Sequence, residues 1–337
     1  RLYMTRNPSG PILPDRKTEE LMNKGISTKT VMRTVVSLVM VGVFVIRAQA
    51  VPNVVIIIAD DQTWSDAGCY GSEIVKTPNI DSLASAGLRF DRAFTATAMC
   101  APTRQQLYTG LFPVKSGAFP NHSKVKVGTK SLVHYYQDAG YSVGLCGKRH
   151  FGPPQSFPFE MVSKGKLESF VTQKEPFFLV YASNSPHLPW EDGDASAYKP
   201  ETFKLPPYIH DNKETRAALQ KYYAEITDFD RELGELDQLI HEAGKADDTI
   251  FIYTSEQGAQ FPFGKWTCYE VGLHVGLVIR WPGKIKAGSS SDAMVQYVDV
   301  LPTLLELCNI DIPKNLDGNS FAAVIEGRAD QHNDYVF

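Results

Sequence analysis

The sequence predicts an α/β fold built on a mostly parallel sheet. Two patterns carry that prediction. The runs Asn53-Val-Val-Ile-Ile-Ile-Ala59 and Phe177-Phe-Leu-Val-Tyr-Ala182 are apolar without alternation, as strands buried on both faces must be. Segments of helical periodicity lie between such runs, the alternation that produces parallel strands. With 337 residues, 43% hydrophobic and 21% charged, the chain has material for one large α/β domain or two smaller ones. A net charge of −4 gives no electrostatic case for nucleic acid, so an anionic ligand would need local positive groups.

In chain order, residues 1–21 carry no usable pattern, and Met22 offers a better start than Arg1. Lys24, Lys29 and Arg33 precede an apolar run over residues 35–46 and the small-residue site Ala48-Gln49-Ala50. Residues 22–50 therefore read as a secretory signal peptide, cut after Ala50. The run is too short to span a bilayer comfortably. The expectation is an exported protein, periplasmic or extracellular, without a stable membrane span.

The first strand, residues 53–59, runs into Asp60-Asp61. Thr77-Pro-Asn79 leads into a short helix closed near Gly87, and residues 131–139 form another. The strand over residues 141–146 runs into Gly147-Lys-Arg-His150, and residues 153–174 read as an irregular surface excursion. The strand over residues 177–182 ends near His187, and residues 191–212 form a long proline-rich loop. Leu219, Tyr223, Ile226, Phe229, Leu233, Leu236 and Ile240 mark an amphipathic helix over residues 214–243. Its charges Glu225, Asp228, Arg231 and Glu232 read mostly as a solvated face. A strand over residues 249–254 precedes Glu256-Gln257, and Lys265 follows. Residues 277–281 make a further strand, residues 299–307 a helix, and residues 334–337 the start of another strand. Residues 51–330 form the expected catalytic domain, with residues 331–337 opening a truncated C-terminal portion.

Cysteines occur at 69, 100, 146, 268 and 308. Their irregular spacing, and the apolar company of Cys146 and Cys308, favour buried free thiols over disulfides. The absence of Cys-x-x-Cys argues against structural zinc.

Four of the strands thus end in polar groups: Asp60/Asp61, Lys148/His150, His187 and Glu256/Gln257. In an open α/β sheet, ligands bind beyond the carboxyl ends of the strands, so one shared sheet would make all four converge. Asp60, Asp61, Glu256 and Gln257 offer hard oxygens, suited to Ca2+ or Mg2+ rather than zinc. Arg104, Lys148, His150, His187 and Lys265 form a positive complement for an anion. Cys100 precedes Pro102, which is pre-set for a first helical turn, and Gly110 is a natural helix end. Cys100 therefore stands at a helix N-terminus that favours an anion. Arg104 in that first turn opposes the helix dipole unless such an anion is bound.

The stretch Cys100-Ala-Pro-Thr-Arg-x-x-Leu-x-Thr-Gly110 resembles the signature of the type I sulfatases. Pro-Asn-Val-Val-Ile-Ile-Ile-Ala-Asp-Asp, Thr-Pro-Asn-Ile-Asp-Ser-Leu-Ala, Pro-His-Leu-Pro and Phe-Gly-Lys-Trp-Thr-Cys-Tyr-Glu look like further blocks of that family in family order. Gly-Lys-Arg-His-Phe-Gly-Pro is especially similar to the heparan N-sulfatase branch. The likeness covers residues 52–318. It implies an alkaline-phosphatase-like three-layer sandwich whose usual small C-terminal subdomain is largely missing here.

It also implies that Cys100 is converted by a formylglycine-generating or sulfatase-maturing enzyme to an aldehyde. One hydroxyl of the aldehyde hydrate attacks sulfur, and loss of the other's proton expels sulfate. By the same likeness Asp60, Asp61, Glu256, Gln257 and the modified Cys100 bind Ca2+, with Mg2+ possible. Arg104 and Lys148 steady the hydrate, His150 is the base for its collapse, and His187 and Lys265 meet the sulfate and its leaving oxygen. The substrate implied is a sulfate ester or sulfamate of a carbohydrate. The family commonly has Asp where Glu256 stands, and Asn or His where Gln257 stands.

Two other readings stay open. One is a phosphonate or phosphate monoester hydrolase of the same superfamily, although the histidine-rich two-metal pattern of its zinc members is not evident. The other is a sulfated-glycan binder that never receives the aldehyde. Only Cys100 has Pro and Arg at the second and fourth positions after it. Co-expression with a formylglycine-generating system should therefore convert Cys100 and spare the other four cysteines. Peptide mass spectrometry checks this, and an unmodified Cys100 in fully active protein would overturn it.

Overall fold

The computed structural model describes residues 51–174 and 176–337. The expected signal peptide and the leader before it lie outside the described residues. Nine strands join one mixed sheet: β1 (Asn53–Ala59), β2 (Leu88–Phe94), β3 (Ser142–Gly147), β4 (Glu160–Met161), β5 (Phe177–Ala182), β6 (Thr249–Ser255), β7 (His274–Arg280), β8 (Ser289–Ser291) and β9 (Val295–Gln296). The order is β4-β3-β5-β1-β6-β7-β2-β8, with β9 beside β2. β3, β5, β1 and β6 are parallel neighbours, so the four strand ends picked out from sequence lie side by side.

β7 is antiparallel to both β6 and β2, which returns β2 to the direction of β6. The carboxyl end of β2 therefore faces the same edge and delivers the chain to Cys100. The sequence reading passes over β2 because Leu-Arg-Phe-Asp-Arg-Ala-Phe carries three charges, two of which, Arg89 and Asp91, pair with each other at 2.6 Å.

Every residue of β1, β5, β6 and β7 is buried. Alternate residues of β1 serve opposite faces. Val54, Ile56 and Ile58 share a core with Leu107, Leu132, Leu301 and Leu304. Val55, Ile57 and Ala59 share another with Ile80, Leu83, Phe229, Leu233 and Ile240. Five principal helices supply the outer layers: α1 (Pro78–Ser85), α2 (Cys100–Thr109), α3 (Leu132–Asp138), α4 (Lys213–Glu242) and α5 (Tyr297–Leu307). Helices α2, α3 and α5 cover one face and α1 and α4 the other, giving the expected three layers.

Several expectations need correction. Residues 153–174 are no mere surface excursion: they contribute β4, the helical turn Leu167–Val171 and the buried side chains of Phe157, Val162, Leu167, Phe170 and Val171. Their apolar residues are too scattered to show a period, yet they close one edge of the sheet. Glu225 and Glu232 are buried, not solvated, because they accept hydrogen bonds from Ser185 and Ser183 in the loop after β5. Residues 334–337 form no strand; instead Asn333 makes an isolated bridge to Met294. All five cysteines are free, but Cys268 is exposed and Cys69 half-buried.

Asp230 of α4, 1% exposed, holds two elements together. Its carboxylate accepts the backbone N–H groups of Asn79 and Ile80 and the Asn79 amide, which caps α1 from another helix. Charge-assisted bonds of this kind contribute about 1.5–3 kcal/mol. Asp230→Ala should lower unfolding stability by roughly that amount in urea titration. A loss below ~0.5 kcal/mol would show the cap to be dispensable.

Candidate active site

The ladder continues past the strands into the loops that carry the polar residues. The Ile58 carbonyl accepts Ser183 N–H at 3.1 Å, the Ala59 carbonyl accepts Glu256 N–H at 2.8 Å, and the Ser185 carbonyl accepts Asp60 N–H at 3.0 Å. The Ala182 carbonyl accepts Lys148 N–H at 2.8 Å. Asp60, Asp61, Lys148, Glu256 and Gln257 are thereby fixed one or two residues beyond a strand. The close approaches demand glycine at Gly147, where a Cβ would stand 2.1 Å from the Ala182 carbonyl oxygen, and at Gly258, 1.9 Å from that of Val271. Asp61 adopts a left-handed backbone at φ 65°, a conformation Asp tolerates better than most residues.

Helix α2 begins at Cys100, with extended Met99 as its N-cap, and ends on left-handed Gly110. All ten residues of α2 are buried, including Thr103, Arg104, Gln105 and Gln106. The Cys100 Sγ lies 3.8 Å from an oxygen of Asp60 and 3.8 Å from one of Asp61. Around this centre the Lys148 ammonium donates to Asp60, and the Lys265 ammonium donates to Asp61 at 2.6 Å. Arg104 Nε donates to Glu256 at 2.6 Å, while its Nη2 stands 3.7 Å from Asp60. His187 Nε2 is 3.6 Å from Asp61, and the Gln257 amide donates to Asp61 and faces Cys100 Sγ at 3.5 Å.

The structure thus brings Asp60, Asp61, Cys100, Arg104, Lys148, His187, Glu256, Gln257 and Lys265 into one buried cluster. His150 stands at its margin beside His122, a residue the sequence reading did not single out. No periodicity or spacing marks His122, which lies in a loop between helices. The exposed side chains of Phe263, Trp266 and Tyr269 surround Lys265 on its loop. A separate cavity of about 590 Å³, lined by Asp66, Tyr198, Phe203 and Tyr223, contains none of the cluster residues. The charges place the site; cavity volume does not.

Burial alone would raise every carboxylate here. For Asp60 that effect is outweighed by the neighbouring Glu256 carboxyl and by the Arg104 and Lys148 cations, so its pKa falls below the usual range. Burial and the Asp60 charge raise Asp61, against the pull of Lys265. Burial holds Glu256 well above its ordinary value despite Arg104. Burial, then the charges of Glu256, Asp60 and Asp61, lift the Cys100 thiol far above the thiol range, so the unmodified side chain is not a thiolate. Burial, with Lys148 and Arg104, depresses His150 to about 4, which leaves it neutral and able to take a proton.

The residues fit a hard divalent cation. Ligand atoms of Asp60, Asp61, Cys100 and His187 lie within 4.8 Å of one another. Beside them, Glu256 Oε2 and Gln257 Oε1 are buried without a hydrogen-bond partner. Two unspent oxygens next to paired carboxylates are what such an ion would satisfy. As placed, Gln257 turns its N–H groups to Asp61; rotation of that amide would present oxygen instead.

A family model described as Sulfatase matches residues 52–172 and 165–310. An ulvan-active sulfatase of Formosa agariphila is 36% identical over 305 residues, covering 85% of this chain and 60% of its own length. Human N-sulphoglucosamine sulphohydrolase is 28% identical over 329 residues, covering 82% of this chain and 64% of its own length. A solved structure in complex with its substrate D-glucosamine-2-N,6-O-disulfate superposes with a TM-score of 0.72 at 22% identity, covering 85% of this chain and 82% of its own. The chain therefore spans less than two thirds of the length of the two curated relatives, and its three layers are the fold of the solved structure.

An ion that binds only the folded state stabilises it by about 2.7 kcal/mol at a hundred times its Kd. Ca2+ should accordingly raise the melting temperature by several degrees, Mg2+ should act in the same direction, and Zn2+ should do less. Asp61→Asn should abolish most of the shift. Scanning fluorimetry reads this without any turnover, and an equal shift in the variant would remove Asp61 from the metal site.

Proposed function

The chain belongs to the sulfatase family, and from that premise we propose that it hydrolyses sulfate esters or sulfamates of a sulfated carbohydrate. The relatives named above, one active on ulvan and one on sulphoglucosamine, support a polysaccharide or glycosaminoglycan substrate. The observation that carries the reading is Cys100. It opens a helix, is buried against two carboxylates, and is ringed by Arg104, Lys148 and Lys265. As a thiol held fully protonated it is a poor nucleophile, which supports its conversion to the aldehyde. The hydrate of that aldehyde supplies an oxygen nucleophile, and a Ca2+ held by Asp60, Asp61, Glu256 and Gln257 supplies positive charge to the bound sulfate.

The chain's own side chains do the rest. Arg104, already locked to Glu256, and Lys148 orient the oxygens at position 100. Neutral His150 takes the proton whose loss expels sulfate. Lys265 and His187 donate toward the sulfate and its leaving oxygen. His187 Nδ1–H is committed to the Leu188 carbonyl at 2.6 Å, so Nε2 can donate only from the imidazolium form. Export through the N-terminal signal peptide belongs to the same reading and agrees with an extracellular or periplasmic polysaccharide. Among the described residues no helix is long and apolar enough to cross a membrane.

Turnover of matched sulfate and phosphate esters by matured protein separates this reading from a phosphate or phosphonate hydrolase. Absence of the aldehyde at Cys100 in native protein would favour the glycan binder, and its detection would count against that reading. Leaving-group dependence is the sharper test. Removing one preorganised donor typically lowers kcat by ~10²–10³. His187→Ala should cost about that much on a sugar sulfate and much less on an activated aryl sulfate, whose leaving group needs little help. Equal losses on both substrates would take His187 out of the leaving-group role.

A further inference from the structure

We propose that His122 is a positioning residue that fixes the ring orientation and tautomer of His150, so that the buried His150 Nδ1 faces the reaction as a lone pair. The inference rests on the reading of His150 as the base, and four observations carry it. His150 Nε2 and His122 Nδ1 are 2.8 Å apart, a full hydrogen bond between two side chains 28 positions apart. The rings stand 4.8 Å apart at 41°, so this is an edge contact and not a stack. Both residues hold left-handed backbones, φ 61° at His122 and φ 45° at His150, a strain that neither residue type requires of an ordinary loop. The other His150 nitrogen, Nδ1, is buried and has no partner.

The two loops that bring the rings together are locked by one amide. Gln105 lies in α2 next to Arg104 and is fully buried. Its Nε2 donates to the Ser123 carbonyl at 2.9 Å. Its Oε1 accepts Val125 N–H at 3.2 Å and Gly152 N–H at 3.3 Å. Val125 N–H also bonds the Gly152 carbonyl at 2.9 Å. The loop that bears His122 and the loop that bears His150 are thus joined through the helix that starts at Cys100. On the near side, Asn121 Oδ1 accepts Ala101 N–H at 3.4 Å, at the first turn of that helix.

One proton lies between the rings, and its owner decides what His150 can do. If His150 keeps it on Nε2 and donates to His122 Nδ1, its Nδ1 carries a lone pair. That nitrogen is the buried one without a partner, so an N–H there would be an unsatisfied buried donor. Proton abstraction then places the new proton on Nδ1, and the resulting imidazolium keeps its Nε2–H on the His122 Nδ1 lone pair. This is the geometry of a base oriented by a third group. The opposite tautomer would have His122 donate, its own Nε2 accepting from Asn121 Nδ2 at 3.4 Å; in the proposed tautomer both of these nitrogens are donors, and the contact is long and exposed enough for each to turn to water. The opposite tautomer would leave His150 Nδ1 as a donor, unable to act as base.

Both a kinetic and a spectroscopic readout test this. His122→Ala should lower kcat by about 10- to 100-fold, the loss typical when the outer partner fixing a histidine tautomer is removed. KM should stay within about twofold. His122→Asn, whose amide oxygen takes the place of Nδ1, should restore most of the rate. In protein purified without maturation, 15N–1H correlation spectra of the imidazoles should show His150 as the neutral Nε2–H tautomer in the wild type and as a tautomer mixture in His122→Ala. A wild-type Nδ1–H tautomer would overturn the proposal, as would unchanged kcat in His122→Ala or an effect confined to KM. The spectra need no sulfatase turnover, so they decide the role of His122 even if the proposed activity fails.

Discussion

The buried ionic cluster at the carboxyl edge of the sheet constrains everything around it. Asp60, Asp61 and Glu256 are each at most 1% exposed, within one small volume. Carboxylates so placed repel one another and lose their hydration, so they must pair with close cations or hold their protons. Arg104, Lys148 and Lys265 are the close cations, and each comes from a different segment. Removing any one of them would leave an unmatched buried charge. β1 and β6 are adjacent and parallel, and their shared direction sets Asp60/Asp61 beside Glu256.

Helix α2 shows how local structure is subordinated to this cluster. It has no apolar stripe and yet is wholly buried, an arrangement that propensity alone would not sustain. Its polar side chains instead find partners. Thr103 donates to the Thr97 carbonyl, Gln106 accepts from Thr95 and Ala96, and Gln105 ties two loops. The gain is rigidity at the residue that opens the helix. A site meant to stabilise charge that develops during reaction works best when its donors do not have to move. The shared anchoring of Cys100, His150 and His122 on α2 meets that requirement.

Much of this was legible in the chain itself. The unbroken apolar runs of β1, β5 and β6 announce strands buried on both faces, because a sheet covered by helices leaves no polar face. Pro102 lies in the first turn of α2 and Gly110 ends it, as their backbone chemistry allows. A polar residue directly after a fully buried strand has only the sheet edge to occupy, so Asp60, Lys148, His187 and Glu256 could be assigned to one edge before any contact was known.

Other features belong to the tertiary structure alone. β2 hides behind Arg89, Asp91 and Arg92: the first two pair with each other and Arg89 also reaches the Cys69 carbonyl, while Arg92 stays exposed, so the strand shows no unbroken apolar run. Glu225 and Glu232 look like solvated helix charges until the loop after β5 folds over them, since burial depends on what packs against a helix and not on its own period. His122 is the clearest case. Its meaning lies in a single nitrogen–nitrogen approach to His150, created by two loops that Gln105 clamps. By itself the sequence determined which residues must be buried strands and which chemistry waits at their ends, because hydrophobic period and residue type are local properties. Which charges neutralise which, and which histidine orients which, were decided only when distant loops met.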